Sequence, residues 1–252
     1  MSILNDFDED KTAIINPEDF IKKREDFPEI AIATFTEHIV DSAFQGREKK
    51  VIAYLYADTL PVYRLDYQGT QIAIFTSKTG APASVAGEEA VIALGARKLI
   101  YFGSCGVLDN QIAANEIIIP THAIRDEGTS YHYLRASEEI ALDQDNIALL
   151  VRVLDELGIS YRKGKTWTTD AIFRETRKKF EKRREQGSIA VEMECSALAA
   201  VAQFRGASFT QFLYSADNLD AEQWDPRSLG NGETKEEVYL KIALEYALAI
   251  KE

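Results

Sequence analysis

Residues 189–218 read IAVEMECSALAAVAQFRGASFTQFLYSADN. An apolar run, Ile189 to Val191, leads through Glu192-Met193-Glu194-Cys195 into an alanine-rich stretch, Ser196 to Arg205. That stretch stops at Gly206, a residue suited to the position just past a helix end. A second apolar run, Phe209 to Tyr214, comes next and closes on Ser215-Ala216-Asp217-Asn218. Nearly continuous apolar runs fit strands buried on both faces, and the stretch between them predicts the helix that joins such strands. Each strand ends in carboxylates. Buried acids are costly unless they are paired or used, so Glu192, Glu194 and Asp217 become candidate site residues. Acids at strand tips, beside a methionine and aromatic rings, suit a pocket that grips hydroxyl groups and protonates a leaving group.

The same alternation runs through the rest of the chain. Ile30 to Ala33, Val51 to Tyr56, Ile72 to Phe75, Leu99 to Phe102 and Ile117 to Ile119 read as further strands. Ser84 to Leu94 reads as a helix, with Pro82 just before it and Gly95 after it, both in positions those residues favour. Asp145 to Leu157 carries Ile147, Leu150, Val151, Leu154 and Leu157 on one face and stops at Gly158. Glu236 to Lys251 presents Val238, Ile242, Tyr246 and Ile250 as a docking stripe. Strands alternating with helices predict a single-domain, three-layer α/β/α fold around a central mixed, mostly parallel sheet. Residues 1–27 are expected to form an N-terminal extension and residues 28–252 the domain itself. The longest stretch without periodicity in the second half, Asp220 to Glu233, has the length of a lid.

With 252 residues, 46% of them hydrophobic, the chain can build one sizeable core. No apolar run is long enough for a membrane span. The acidic start, Asp6-Phe7-Asp8-Glu9-Asp10, lacks the basic-then-apolar order of a secretion signal, so a cytoplasmic location is expected. A net charge of −12 argues against general nucleic-acid binding. The one strongly basic stretch, Arg174 to Arg184, reads first as a solvated helix face. The two cysteines, Cys105 and Cys195, lie far apart without metal-ligand spacing, so no metal site is expected. Cys105 reads as a small residue packed in a tight loop.

Two more segments extend from strand ends. Thr76 to Pro82 leads into a helix start, where backbone N–H groups can hold an anion. Gly103-Ser104-Cys105-Gly106 comes after the strand at Leu99 to Phe102, and its glycines permit close approach of the backbone to a ligand. It lacks both the dinucleotide fingerprint and the lysine of a P-loop, so no organic cofactor is indicated.

Taken in order, Gly80-Ala81-Pro82, Ala93 to Ala96, Gly103 to Gly106, Val191 to Glu194 and Ser215 to Asp217 resemble the nucleoside phosphorylase superfamily. The likeness is greatest to its uridine phosphorylase and hexameric purine nucleoside phosphorylase branch, over roughly residues 28 to 250. The resemblance implies an enzyme that cleaves a nucleoside, purine by preference, to ribose 1-phosphate and free base. Inorganic phosphate is then the co-substrate, and a dimer or hexamer is the implied assembly. Glu194 would accept hydrogen bonds from the ribose hydroxyls, with Glu192 and Met193 beside the sugar. Ser104 and Gly103 would lie on the sugar or phosphate side. Phe173 and Trp167 are the two candidates for stacking on the base. Asp217 would protonate purine N7, with Arg227 assisting from the loop.

The implied phosphate site departs from the family pattern. Thr34-Phe35-Thr36-Glu37-His38 stands where the branch has a Gly-Asp-Pro loop and an arginine, and Tyr101 stands where it has another arginine. A phosphate dianion favours charge-assisted donors. Thr34, Thr36, His38, Ser104, Thr79 and Gly80 remain as a neutral-donor set, and Arg47, Lys49 or Lys50 of a neighbouring subunit as an alternative. The departure leaves open a nucleosidase that uses water and a non-catalytic nucleoside-binding protein; uridine phosphorylase-like pyrimidine specificity stands as a separate alternative.

Overall fold

The structure is a computed structural model that describes residues 3–57, 59–229 and 235–251. Through these residues run α1 (Pro17–Phe20), β1 (Ile30–Thr34), α2 (Glu37–Ser42), β2 (Lys50–Leu55), β3 (Leu60–Tyr67), β4 (Thr70–Thr76) and α3 (Ala81–Leu94). Next come β5 (Lys98–Val107), β6 (Ile117–Asp126), β7 (Glu139–Ala141), α4 (Gln144–Glu156), β8 (Tyr161–Thr169) and α5 (Arg177–Glu185). The chain ends on β9 (Ser188–Glu192), α6 (Cys195–Arg205), β10 (Ser208–Asn218) and α7 (Glu236–Ala249). The positions 230–233 of the expected lid lie outside the described residues.

One mixed sheet holds all ten strands, with helices on both faces, as the alternation predicts. β5 is its hub. The first half of β5 lies between β1 and β10, parallel to both, and its last residues, Gly106 and Val107, pair antiparallel with β9. β10 pairs with β6, β6 with β8 and β8 with β9. These five strands therefore close into a ring, while β1, β4, β3 and β2 extend from it as an open wing. Ring closure satisfies backbone groups that an open edge would expose.

Alternate side chains of β10 serve the two faces, as strand geometry requires. Thr210 Oγ1 meets Tyr246 Oη of α7 at 2.8 Å, and Tyr214 stacks on Tyr239 of α7 at 4.0 Å. On the opposite parity, Phe209 packs against Tyr101. α3 and α6 pack on each other, and α4 packs against α7. Trp167, Tyr101, Tyr239 and Tyr246 are among the largest fully buried side chains.

Three strands escape the hydrophobic pattern. β3 and β8 carry charges along their length (LPVYRLDY and YRKGKTWTT), and β7 spans three residues. Their pairing partners, rather than their own apolar content, hold them extended. The Gly103 to Gly106 segment, read as a loop, continues β5. Its glycines are required by neighbours: a Cβ at Gly103 would lie 2.6 Å from the Phe35 ring, and one at Gly106 would lie 2.5 Å from Leu219.

Candidate active site

A cavity of about 710 Å³ opens at the end of the ring where β5, β9 and β10 finish. Its volume suits a small organic ligand. Glu194, Met193 and Glu192 line one part of it, and Asp217 and Trp224 another. Ser104, Thr79 and Phe173 also reach it, together with Phe35, Glu175 and Arg177. No group of three or more His, Cys, Asp or Glu side chains among the described residues could hold a metal ion.

The two glutamates of the Glu-Met-Glu segment have different work. The first N–H groups of a helix lack intrahelical acceptors. Glu192 Oε2 supplies one to the N–H groups of Glu194 (2.7 Å) and Cys195 (2.6 Å) as α6 begins. Its Oε1 accepts from the hydroxyls of Thr168 (2.6 Å) and Thr166 (3.2 Å). Ser196 continues the pattern, giving its N–H to Thr168 Oγ1 and its hydroxyl to Glu127. Glu192 lines the cavity, but its oxygens are committed to holding the start of α6. Within the cavity wall it is the support beneath Glu194.

Glu194 is 5% exposed, and its Oε1 accepts the N–H of Gly80 at 2.6 Å. Burial, then the nearby charge of Glu192, pushes its carboxyl up to about 8. Gly80 thus spends its N–H on a protein carboxylate instead of an anion, which corrects its assignment to a phosphate site.

Asp217 owes its direction to an irregularity in β10. Register shifts between Ser215 and Asp217, so that Asp217 lies opposite Gly106. A bulge of this kind re-aims a side chain. Asp217 Oδ2 accepts the indole N–H of Trp224 at 2.8 Å. Burial raises the Asp217 carboxyl above the usual range, while the Trp224 bond and the charge of Arg227 pull the other way. Glu175, on the same cavity, is pushed up to about 7 by burial and by the charge of Asp217.

Glu194 and Asp217 therefore share one cavity although they come from different strand tips. A model of the phosphorylase superfamily matches residues 30–247. The chain belongs to that superfamily. Among its relatives, the uridine phosphorylase of Thermococcus kodakarensis is 31% identical over 107 residues, 42% of this chain and 39% of the relative. The guanosine phosphorylase of Halorubrum lacusprofundi is 24% identical over 162 residues, 64% of this chain and 63% of the relative. In both, the matched stretch spans less than two thirds of the relative's own length. The fold resembles that of the Toxoplasma gondii purine nucleoside phosphorylase solved with immucillin-H, with a TM-score of 0.78 at 20% identity. That match covers 90% of this chain and 94% of the other.

Several expected site residues of this phosphorylase-superfamily chain lie elsewhere. Trp167 is fully buried between Val191 and Phe180, and its indole N–H is given to Asp126 Oδ2 at 3.0 Å. It is a core residue and does not face the cavity. Phe173 does, and it is 95% exposed. Arg227 donates to Ile112 O and Ser215 Oγ, both at 2.9 Å, and braces its own loop instead of lining the cavity. Thr34 is sealed at the end of β1, and Gly103 is covered by Phe35. Thr36 stands by the Tyr214 hydroxyl, and His38 pairs with Glu236 at 2.6 Å. None of these four lines the cavity, so a neutral-donor phosphate site reduces to Ser104 and Thr79.

Lys49 pairs with Asp41, and Arg47 donates to Asp66 O. Cys105 is buried in β5 with its thiol pushed well up by that burial. α5, the basic stretch, buries Phe180 alone among its residues, as a solvated face would. Its flank nevertheless supplies two residues that sequence reasoning missed: Glu175 and Arg177 of the Ile172 to Phe180 wall. Arg177 is the one cationic side chain among the described residues lining the cavity.

Proposed function

We propose that this chain cleaves the N-glycosidic bond of a purine nucleoside by phosphorolysis, releasing the base and ribose 1-phosphate. One observation carries the reading: Glu194 and Asp217 open onto the same cavity from separate strand tips. As the C1′–N9 bond breaks, its electron pair moves to the base and positive charge grows on the sugar. Asp217 delivers a proton to N7, and burial raises its carboxyl above the usual range, in the direction an acid needs. Glu194, held by Gly80, is placed to accept the ribose hydroxyls. Phosphate oxygen bonds to C1′ from the side of Ser104 and Thr79. The uridine and guanosine phosphorylases among the relatives support phosphorolysis as the reaction class.

Hydrolysis is the second reading. Arg177 is alone as a cation among the described cavity residues, and Tyr101, buried with an unpartnered hydroxyl, carries no charge. A panel of purine and pyrimidine nucleosides assayed with and without inorganic phosphate separates the two. Base release that requires phosphate supports phosphorolysis; release at equal rate without it replaces that reading with hydrolysis. Failure to cleave any nucleoside would sink both.

Self-association belongs to the same proposal. Phe173 at 95% and Trp224 at 62% exposure leave apolar rings uncovered at the cavity. A second copy that covers them would narrow its mouth, and a monomeric mass by light scattering would remove this part.

A further inference from the structure

The loop after β10 contains a contact that the reaction scheme does not use. Trp224 lies seven residues beyond Asp217, lines the same cavity, and gives its indole N–H to Asp217 Oδ2 at 2.8 Å. An indole N–H can only donate. The oxygen that receives it must therefore act as an acceptor, whether the carboxyl is ionised or neutral. The other oxygen, Oδ1, lies over Gly106 of β5, 3.1 Å from where a Cβ on that residue would be. Leu219 and Val191 close in on the same spot, so a side chain on Gly106 would press on Oδ1 as well as on them.

We propose that Trp224 is a positioning residue that divides the labour of the Asp217 carboxyl, fixing Oδ2 as the acceptor and leaving Oδ1 to carry the proton given to the base. This rests on the reading of Asp217 as the acid. Proton transfer then takes one path. The Oδ1–H bond breaks, N7–H forms, and the electron pair left on Oδ1 gives a carboxylate whose Oδ2 already holds a donor. The indole bond serves the neutral acid before transfer and the anion after it, so the side chain need not turn during the reaction.

The charged groups around this carboxyl are few. Arg227 and Asp225 belong to the same loop, Glu175 precedes α5, and the Cys105 thiol lies on β5. Removing the indole N–H changes none of them. The Trp224→Phe variant keeps an aromatic ring at the cavity, smaller than the indole, and deletes the donor.

Carbon-13 NMR titration of the side-chain carboxyls, with the Asp217 signal assigned by its loss in Asp217→Asn, tests the contact without any turnover. The Asp217 titration in Trp224→Phe is expected to move to higher pH, because a donor that favours the anion has gone. An unmoved titration overturns the proposal. In nucleoside cleavage, kcat should fall roughly tenfold, about the worth of one hydrogen bond to a charged group, with little change in KM. The alkaline limb of kcat should move to higher pH with the titration. A lower kcat with an unmoved limb assigns Trp224 to packing alone and also overturns the proposal. If the native chain cleaves no nucleoside, the functional reading fails, while the carboxyl titration still decides whether Trp224 governs Asp217.

Discussion

Glu194 Oε1 and the backbone N–H of Gly80 meet at 2.6 Å across a separation of 114 residues. The bond ties the start of α6 to the turn between β4 and α3 and fixes one carboxylate oxygen. Gly80 has φ of 95°, in the left-handed region that favours glycine, and its Cβ position meets nothing within 4 Å. Space is free there; backbone conformation is not.

Gly80→Ala should therefore destabilise the protein by about 1–3 kcal/mol through backbone strain. As Glu194 loses its anchor, KM for the nucleoside should rise more than kcat falls. Denaturant unfolding and steady-state kinetics read the two effects. Unchanged values in both would remove the link between this turn and the site.

Stability should depend on pH through Glu194. Its carboxyl titrates near 8 in the folded chain, and an unfolded glutamate titrates near 4.5. Between those values the folded state holds a proton that the unfolded state has released, so stability declines as pH rises from about 4.5 to 8. One proton corresponds to a slope of up to about 1.4 kcal/mol per pH unit. Burial raises Glu192 and Glu175 too, so they add to the decline. Glu194→Gln should flatten the profile partly; an identical slope in urea titrations across this range would refute the assignment.

Asp217→Asn keeps the shape of the side chain and removes its acidity. Purine nucleoside cleavage should fall about 10²–10⁴-fold, the usual range for a lost general acid, while substrate binding stays near its native strength. A variant with native kcat would end the role of Asp217.

Trp167→Phe separates the two tryptophans. Deleting the buried indole N–H strands Asp126 without one of its donors and shortens a filled core position. A loss of about 1–3 kcal/mol is expected in thermal or chemical unfolding. KM should not move, since Trp167 does not line the cavity; a large rise in KM would return it to the site.

The candidate site was half legible in the sequence. Glu194, Asp217, Met193 and Ser104 stood in short motifs at strand ends, and all four line the cavity. The family resemblance makes Trp167 a base-stacking candidate because residues 167–173 match where that family lays an aromatic ring, and the polar sequence of β8 gives no sign that the ring is buried. The pairing of β8 with β6 and β9 turns the ring inward. Glu175 and Arg177 were hidden in a charge run, just before and at the first residue of the exposed helix α5. Trp224 was visible only as part of a loop. Its partner lies in β10, and no periodicity relates a loop indole to a carboxylate beyond a strand bulge.

Sequence alone determined the alternation of strand and helix, because burial on two faces writes continuous apolar runs and helix ends write glycine and proline. It also placed acids at strand tips, where their cost demands a purpose. Tertiary structure alone decided which atoms of those acids are free. Ring closure through β5, β10, β6, β8 and β9 brought distant backbone N–H groups, threonine hydroxyls and an indole within hydrogen-bond reach. A carboxylate has a limited set of lone pairs, so whichever partners the fold delivers first define what remains for a ligand.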